Sequence, residues 1–354
     1  MKAAILGLTH PHSGILLKTL ENLSEITEIV LWDADPVIET HPVLPASRKV
    51  TRVTSDLTAA LAEPGLVFAI VCVRNDQAAA VSQQVLAAGK HLLTEKPGGL
   101  TSAEILALQH LATKTGLVAG VLYTRRTHPC VVAARQLVQS GALGSLFSIE
   151  ARFLTTQVRF RQPGSWLFRR SQAGGGILLW LGCHCLDLMH HVSGDEITEI
   201  GALLATRSGE AIDVDDTIAL ALKFRSGAIG TFHAGYTLAY SGEGYVNQAG
   251  YDSYLGFNGR TGRIVWPDLT PRLQIEAPTA PGQSPTREQI FTLPASTSYG
   301  GAGGEDFFRQ FFVALQGRSA APTTLADALR TARVIEAAEE SSRTGRFVRV
   351  VDTI

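Results

Sequence analysis

In the first third of the chain, short continuous apolar runs alternate with segments whose apolar residues recur every three or four positions. Lys2–Leu6, Glu28–Trp32, Val67–Val73, His91–Thr94 and Leu117–Leu122 have the length and aliphatic content of strands buried on both faces. Between them, His12–Leu23 sets Ile15, Leu16, Leu20 and Leu23 on one helical stripe. Asp56–Ala62 reads as a short helix, and Gln77–Ala88 as a longer one stopped by Gly89. Thr101 with Glu104 three residues on forms a capping box for a further helix. This alternation predicts an α/β fold with a parallel sheet covered on both faces.

After Tyr123 the texture changes. A helix over Pro129–Ser140 ends at Gly141. Ser145–Phe153, Ile197–Ala205, Thr217–Phe224, Ala228–Ala234, Asp252–Asn258 and Gly262–Val265 then read as strands. Turns such as Arg225-Ser-Gly227 and Asn258-Gly259 join them. The pattern predicts a mainly antiparallel, open-faced sheet with one face packed and one free, and a free apolar face is a common dimer surface. Glu305–Gln316 and Leu325–Thr344 read as closing helices on either side of Pro322, and Pro278–Pro285 as a surface loop. The expected division is a nucleotide-binding domain over 1–123 and an α+β domain over 124–354.

Composition narrows the function. The chain has 354 residues, 45% hydrophobic and 18% charged, enough for two cores. A net charge of −1 speaks against nucleic acid and anionic membrane as partners. Cys72, Cys130, Cys183 and Cys185 are too few and too unevenly placed for a disulfide framework and read as reduced thiols of a cytoplasmic protein. The opening MKAAILGL reads as a strand, not a signal peptide. No apolar run approaches the roughly 20 residues that span a bilayer.

Two segments carry candidate chemistry. The first strand runs into Gly7-Leu-Thr9-His10-Pro11-His12-Ser-Gly14, where a dinucleotide fold places Gly-x-Gly-x-x-Gly. Gly7 fits the first glycine; Thr9 and His12 stand at the second and third. The helix N-terminus that follows can hold a pyrophosphate on its backbone N–H groups. Asp33, at the tip of the second strand, stands where an acidic group accepts from the adenosine ribose hydroxyls, and its charge favours NAD over NADP. The alternative is a βα turn that binds no nucleotide. Thr94-Glu95-Lys96-Pro97 ends a strand at the carboxyl edge of the sheet, where ligands of open α/β sheets bind. A lysine there can stabilise negative charge on a reacting oxygen. The alternative is a surface ion pair.

The chain resembles the glucose–fructose oxidoreductase / inositol dehydrogenase / MocA (Gfo/Idh/MocA) family over nearly its whole length. The resemblance rests on Glu95-Lys96-Pro97 and on Ala173-Gly-Gly-Gly176-Ile-Leu-Leu-Trp180-Leu-Gly182-Cys-His184-Cys-Leu-Asp187. Tyr123-Thr-Arg125-Arg126, Val73-Arg74-Asn75, Ser165-Trp166 and the closing Thr324-Leu-Ala-Asp327 match as well. It implies an NAD-binding Rossmann domain, an open-faced sheet domain, and pairing into a homodimer or homotetramer through the sheet. It implies a nucleotide-binding sugar dehydrogenase that moves a hydride between the nicotinamide and a hydroxyl or carbonyl of a sugar, cyclitol or derivative. Lys96 and His184 match the catalytic lysine and histidine. Trp180 stands in place of the family's aspartate. Gly7, Thr9, His10, Asp33, Val73, Arg74, Asn75, Glu95, Lys96 and Trp166 fall at cofactor positions. The family also contains redox-neutral NAD-dependent glycosidases and a non-catalytic sugar-pathway repressor, and the lost aspartate gives the latter weight.

At such a site His184 can act as base and Lys96 can hold the oxygen. Asp187, three residues beyond His184, either orients the imidazole or satisfies helix-terminal groups. Trp180 either forms a flat wall against a sugar ring or is ordinary packing. Tyr123 and Arg125 fall at substrate positions; the Arg125-Arg126 pair either binds an anionic group or is solvated. Cys183, His184, Cys185, Asp187, His190 and His191 match no standard zinc spacing, so no metal is expected.

Overall fold

The computed structural model describes residues 1–35, 47–239, 250–278 and 285–351. The loop expected over Pro278–Pro285 lies, apart from its two end residues, outside the described residues. The chain divides into two compact units, Met1–Thr127 with Pro294–Leu329, and His128–Leu293 with Arg330–Ile354.

The first unit opens with β1 (Lys2–Leu6), α1 (Ser13–Asn22), β2 (Glu28–Trp32), β3 (Val50–Thr54) and α2 (Leu57–Leu61). It continues through β4 (Leu66–Val71), α3 (Asn75–Ala87), β5 (His91–Thr94), α4 (Ser102–Thr115) and β6 (Ala119–Val121). The six strands are parallel, in the order β3-β2-β1-β4-β5-β6. The order reverses between β1 and β4, the kind of switch point at whose carboxyl ends open α/β sheets bind ligands. Ala3–Leu6 and Phe68–Val71 are fully buried, as apolar runs covered on both faces require. The expected capping box is present: Thr101 Oγ1 accepts from Glu104 N, and the Glu104 carboxylate accepts from Thr101 N. Strand β3 was not expected. It is an edge strand with Thr51 and Arg52 exposed, and it lacks the apolar signal of a buried one.

The second unit contains α5 (Pro129–Gln139), β7 (Leu146–Thr156), α6 (Arg170–Ala173), a π-helical turn (Leu178–Gly182) and α7 (Cys183–Ser193). Strands β8 (Ile197–Ala205), β9 (Thr217–Phe224), β10 (Ile229–Leu238), β11 (Tyr251–Gly259), β12 (Arg263–Trp266), β13 (Arg272–Glu276) and β14 (Thr286–Ile290) follow. With β15 (Val348–Arg349) they form one sheet ordered β14-β13-β12-β11-β7-β10-β9-β8-β15. Among the described residues of this sheet, the β7–β10 pair alone is parallel. Ile149, Ala151 and Phe153 of β7, Ile218, Leu220 and Leu222 of β9, and Phe232 and Ala234 of β10 are buried on one face. Leu203, Ala219, Ala221 and Ile229 lie on the other, exposed or partly so.

Two helices close the chain, α8 (Gly301–Leu315) and α9 (Leu325–Thr344). The expectation that everything after residue 124 belongs to the second domain needs correction. Helix α8 falls in the first unit, where Phe307, Phe308, Phe311 and Phe312 join the core of Leu16, Leu20 and Phe68. The rings of Phe311 and Phe312 lie 5.6 and 5.7 Å from that of Phe68. Phenylalanines at i, i+1, i+4 and i+5 make a wide apolar face that must be covered, and the Rossmann sheet covers it.

Candidate functional site

The residues singled out in the first unit gather at the carboxyl edge of its sheet. Gly7 follows β1 with φ of +106°, and a Cβ there would lie 2.3 Å from the Cys72 carbonyl oxygen, so glycine alone fits. The same virtual atom would lie 2.7 Å from the Val73 side chain, which places the β4–α3 turn beside this loop. Asn75 is the first residue of α3 and is buried. Arg74 makes a two-pronged ion pair with Asp76 at 3.0 Å. Asp33 braces the β1–α1 turn: Oδ2 accepts from Leu8 N at 2.6 Å and Thr9 N at 3.3 Å, while Oδ1 accepts from Asp35 N at 3.0 Å. The carboxylate expected to read the ribose therefore also braces the turn.

Lys96 is fully buried and follows β5, and the Lys96–Pro97 peptide is cis. Glu95 is buried beside it and meets His12 Nδ1 at 3.0 Å. Burial pushes the Glu95 carboxyl up, but the charge and hydrogen bond of His12, with His10 and Lys96 adding, bring it down to about 2. Burial pushes the His10 imidazole down to about 3. His10 Nδ1 accepts from His12 N at 3.1 Å, so His10 carries its proton on Nε2. His10, His12 and Glu95 bring ligand-type atoms within 4.8 Å of one another, and these two hydrogen bonds account for that approach. The sequence marks His12 as the occupant of a glycine position; its pairing with Glu95 is visible in the structure alone.

Tyr123 is buried just beyond β6. The basic pair after it divides. Arg126 is buried and pairs with Asp327 at 2.9 Å, at the start of α9, which rules out the solvated reading for that residue. Arg125 is half-buried.

In the second unit the glycine run has a physical cause. Gly174 has φ of +85°, and a Cβ on Gly176 would lie 1.7 Å from the Asp215 carbonyl oxygen. Asp215, buried, accepts from Gly176 N at 2.8 Å and Leu178 N at 3.0 Å through its carboxylate, and from Ile177 N at 2.8 Å through its carbonyl. Neighbouring Asp216 accepts from Arg207 N, Ser208 N and Thr217 Oγ1. Sequence reasoning missed both. The available signal was an aspartate doublet entering an apolar strand, where carboxylates survive only if fully hydrogen-bonded.

His184 lies in the first turn of α7. Gly182 has helical φ and ψ of −62° and −31°, and the π-helical turn Leu178–Gly182 runs directly into α7. A Cβ on Gly182 would meet Phe232 at 3.2 Å, so glycine lets the helix close on β10. His184 and Asp187 are both buried on α7. Trp180 lies within the π turn, an irregularity frequent at functional sites. It packs edge-to-face on Trp166, ring centroids 5.9 Å apart at 89°. The structure thus pairs two aromatics that the sequence reading treated separately.

A parallel sheet with its switch point between β1 and β4, in a chain that also carries a mainly antiparallel sheet, defines a two-domain protein with a Rossmann-type first unit. Residues 8–123 match the oxidoreductase family with an NAD-binding Rossmann fold, and residues 131–265 match the GFO/IDH/MocA C-terminal domain. The chain belongs to the GFO/IDH/MocA oxidoreductase family. It is 27% identical over 269 residues to a levoglucosan dehydrogenase of Pseudarthrobacter phenanthrenivorans, covering 68% of this chain and 66% of that protein. It is 28% identical over 167 residues to a D-xylose dehydrogenase of Paenarthrobacter nicotinovorans, covering 46% of this chain and 42% of that protein. The matches thus span under two thirds of these relatives. A levoglucosan dehydrogenase solved with NADH and levoglucosan shares the fold, with a TM-score of 0.84 at 22% identity over 99% of this chain and 100% of that one. The four cysteines are free and buried, and among the described residues no helix is long and apolar enough to cross a membrane.

Proposed function

We propose that the protein is an NAD-dependent dehydrogenase or reductase acting on a hydroxyl or carbonyl of a sugar, cyclitol or related polyol. The observation that carries this reading is the gathering of Gly7, Asp33, Glu95 and buried Lys96 at the carboxyl edge of a sheet whose family binds NAD. The levoglucosan and xylose dehydrogenases among its relatives support the substrate class. The Gly7 turn, which tolerates no Cβ, fits close approach of a dinucleotide. Bound NAD supplies the hydride acceptor. Lys96 holds the substrate oxygen and stabilises its developing negative charge. His184 takes the hydroxyl proton, and Asp187 supports it. Tyr123, Arg125 and Trp180 shape the substrate pocket. Thr9, Val73, Arg74, Asn75 and Trp166 complete the cofactor contacts. Free, buried cysteines support a cytoplasmic setting. Exposed Leu203 and Ile229 support a homo-oligomer formed through the outer face of the sheet.

The test is a panel of aldoses, anhydrosugars, glycosides and cyclitols incubated with NAD. A dehydrogenase accumulates NADH; a redox-neutral glycosidase releases sugar without it; a regulator binds NAD and turns nothing over. Lys96→Met is expected to lower kcat/KM by about 100-fold with NAD affinity little changed. His184→Ala is expected to remove a histidine ionisation from the pH profile of kcat/KM. Near-normal turnover in either variant excludes that residue from the chemistry.

A further inference from the structure

Four amides in the stretch from β1 into α1 are committed within the protein. Leu8 N and Thr9 N donate to Asp33, His12 N donates to His10 Nδ1, and Ser13 N donates to the His10 carbonyl. A glycine-rich turn presents such groups to a pyrophosphate. Here the side chain of His12 stands at the mouth of the helix, in the place of the third glycine.

Several groups hold that ring. Glu95, after β5, meets Nδ1 at 3.0 Å; Tyr299, before α8, lies against it with centroids 4.9 Å apart; His10 meets it edge-on at 5.0 Å. Glu95 also accepts from Lys96 N at 3.2 Å, so the carboxylate that orients His12 adjoins the lysine proposed for the chemistry. A ring facing a carboxylate donates from Nδ1, and its Nε2 lies on the opposite side. Protonation of Nε2 then adds a second N–H donor and a positive charge at a helix end already suited to anions.

We propose that His12 is a cofactor-binding residue, whose imidazole, aimed by Glu95, donates from Nε2 to the pyrophosphate of the bound dinucleotide in place of committed loop amides. The inference rests on the NAD-binding assignment of this unit. Donation from Nε2 with Nδ1 turned to Glu95 needs the doubly protonated ring, so cofactor affinity falls as pH rises, with proton uptake on binding. Among the described contacts, the titratable groups facing His12 include Glu95, His10 and Tyr299, with Lys96 behind Glu95. Near neutral pH Glu95, held down at about 2, stays ionised, and His10, held down at about 3, stays neutral. A charge change there therefore belongs to neither.

Calorimetry on the full chain tests this, with ADP-ribose as the probe and adenosine as the probe that lacks the pyrophosphate. ADP-ribose is expected to bind more weakly as pH rises, and buffers of different ionisation heat should register proton uptake. His12→Gln should weaken ADP-ribose binding at low pH by about tenfold, the worth of one charge-assisted hydrogen bond, and leave adenosine unaffected. His12→Gly restores the fingerprint glycine, and is expected to bind ADP-ribose with a flat pH profile. A wild-type affinity indifferent to pH, or a His12→Gln variant that binds ADP-ribose as well as wild type, overturns the proposal. So does micromolar binding of Zn²⁺ that His12→Gln abolishes, because the cluster would then be a metal centre. Failure of the wild type to bind NAD or ADP-ribose at any pH would instead sink the underlying NAD reading.

Discussion

Replacing Gly176 with alanine probes the turn that leads to Trp180 and His184. The added methyl would sit 1.7 Å from the Asp215 carbonyl oxygen, 2.6 Å from its carbonyl carbon and 2.7 Å from its amide nitrogen. All three are backbone atoms, so no rotamer change relieves the clash. To restore even a tight 3.0 Å separation, the strand entry must retreat by about 1.3 Å. That movement breaks the set of hydrogen bonds that buried Asp215 accepts from Gly176 N, Ile177 N and Leu178 N. Bonds to a charged acceptor are worth about 1.5–3 kcal/mol each, and partial relaxation keeps some of them. The expected loss is about 3–5 kcal/mol of stability, read as a lower urea midpoint. Gly175→Ala is the control. Its nearest neighbour would be the Leu179 Cβ at 3.1 Å, a side-chain atom, and its φ is not in the left-handed region. It is expected to change stability by no more than about 1 kcal/mol, with reduced unfolded-state entropy offsetting the contact. Equal costs for the two variants would refute the reasoning, because they would mean that Asp215 does not clamp the turn.

Two further outcomes follow from the same geometry. Because burial holds the His10 imidazole down to about 3 while an unfolded histidine titrates near 6.5, the unfolded chain binds the extra proton between those values. Stability should therefore be complete above about pH 6.5 and fall by up to about 1.4 kcal/mol per pH unit as pH drops toward 3, and His10→Gln should flatten that slope in urea titrations; parallel slopes would count against it. The Trp166–Trp180 contact should give a coupling energy of about 0.5–1.5 kcal/mol in a double-mutant cycle with alanine, and strict additivity would show that the edge-to-face pair contributes nothing beyond its burial.

Much of the architecture was legible because it rests on local pattern. Strands β2, β5, β8 and β9 and helix α9 begin and end where periodicity and turn residues place them. The Thr101 capping box is local for the same reason. What the sequence hid depends on partners far along the chain. Nothing near Phe307 says that its helix covers the Rossmann sheet, and nothing near Asp215 says that its acceptors meet amides some 40 residues earlier. Edge strands β3 and β14 were hidden because exposed polar residues carry no burial signal. The site divides in the same way. Gly7, Asp33, Glu95 and Lys96 stand out in the sequence by strand ends and spacing. The ties of Asp33 to the loop and of Glu95 to His12 needed three dimensions.

The return of α8 to the first unit bears on the order of events during synthesis. Phe311 reaches its place against Phe68 only after some 240 further residues have been made. At about 5–20 residues per second, the ribosome takes roughly 10 to 50 s over that stretch. Through that interval the nascent N-terminal domain presents a greasy slot that later meets four phenylalanines. Folding of this unit therefore stays incomplete until α8 is made, although its strands emerge before those of the second unit. A gene fragment cut near residue 123 would yield an aggregating half-domain, while one that fuses residues 294–329 back onto it through a linker supplies the missing wall.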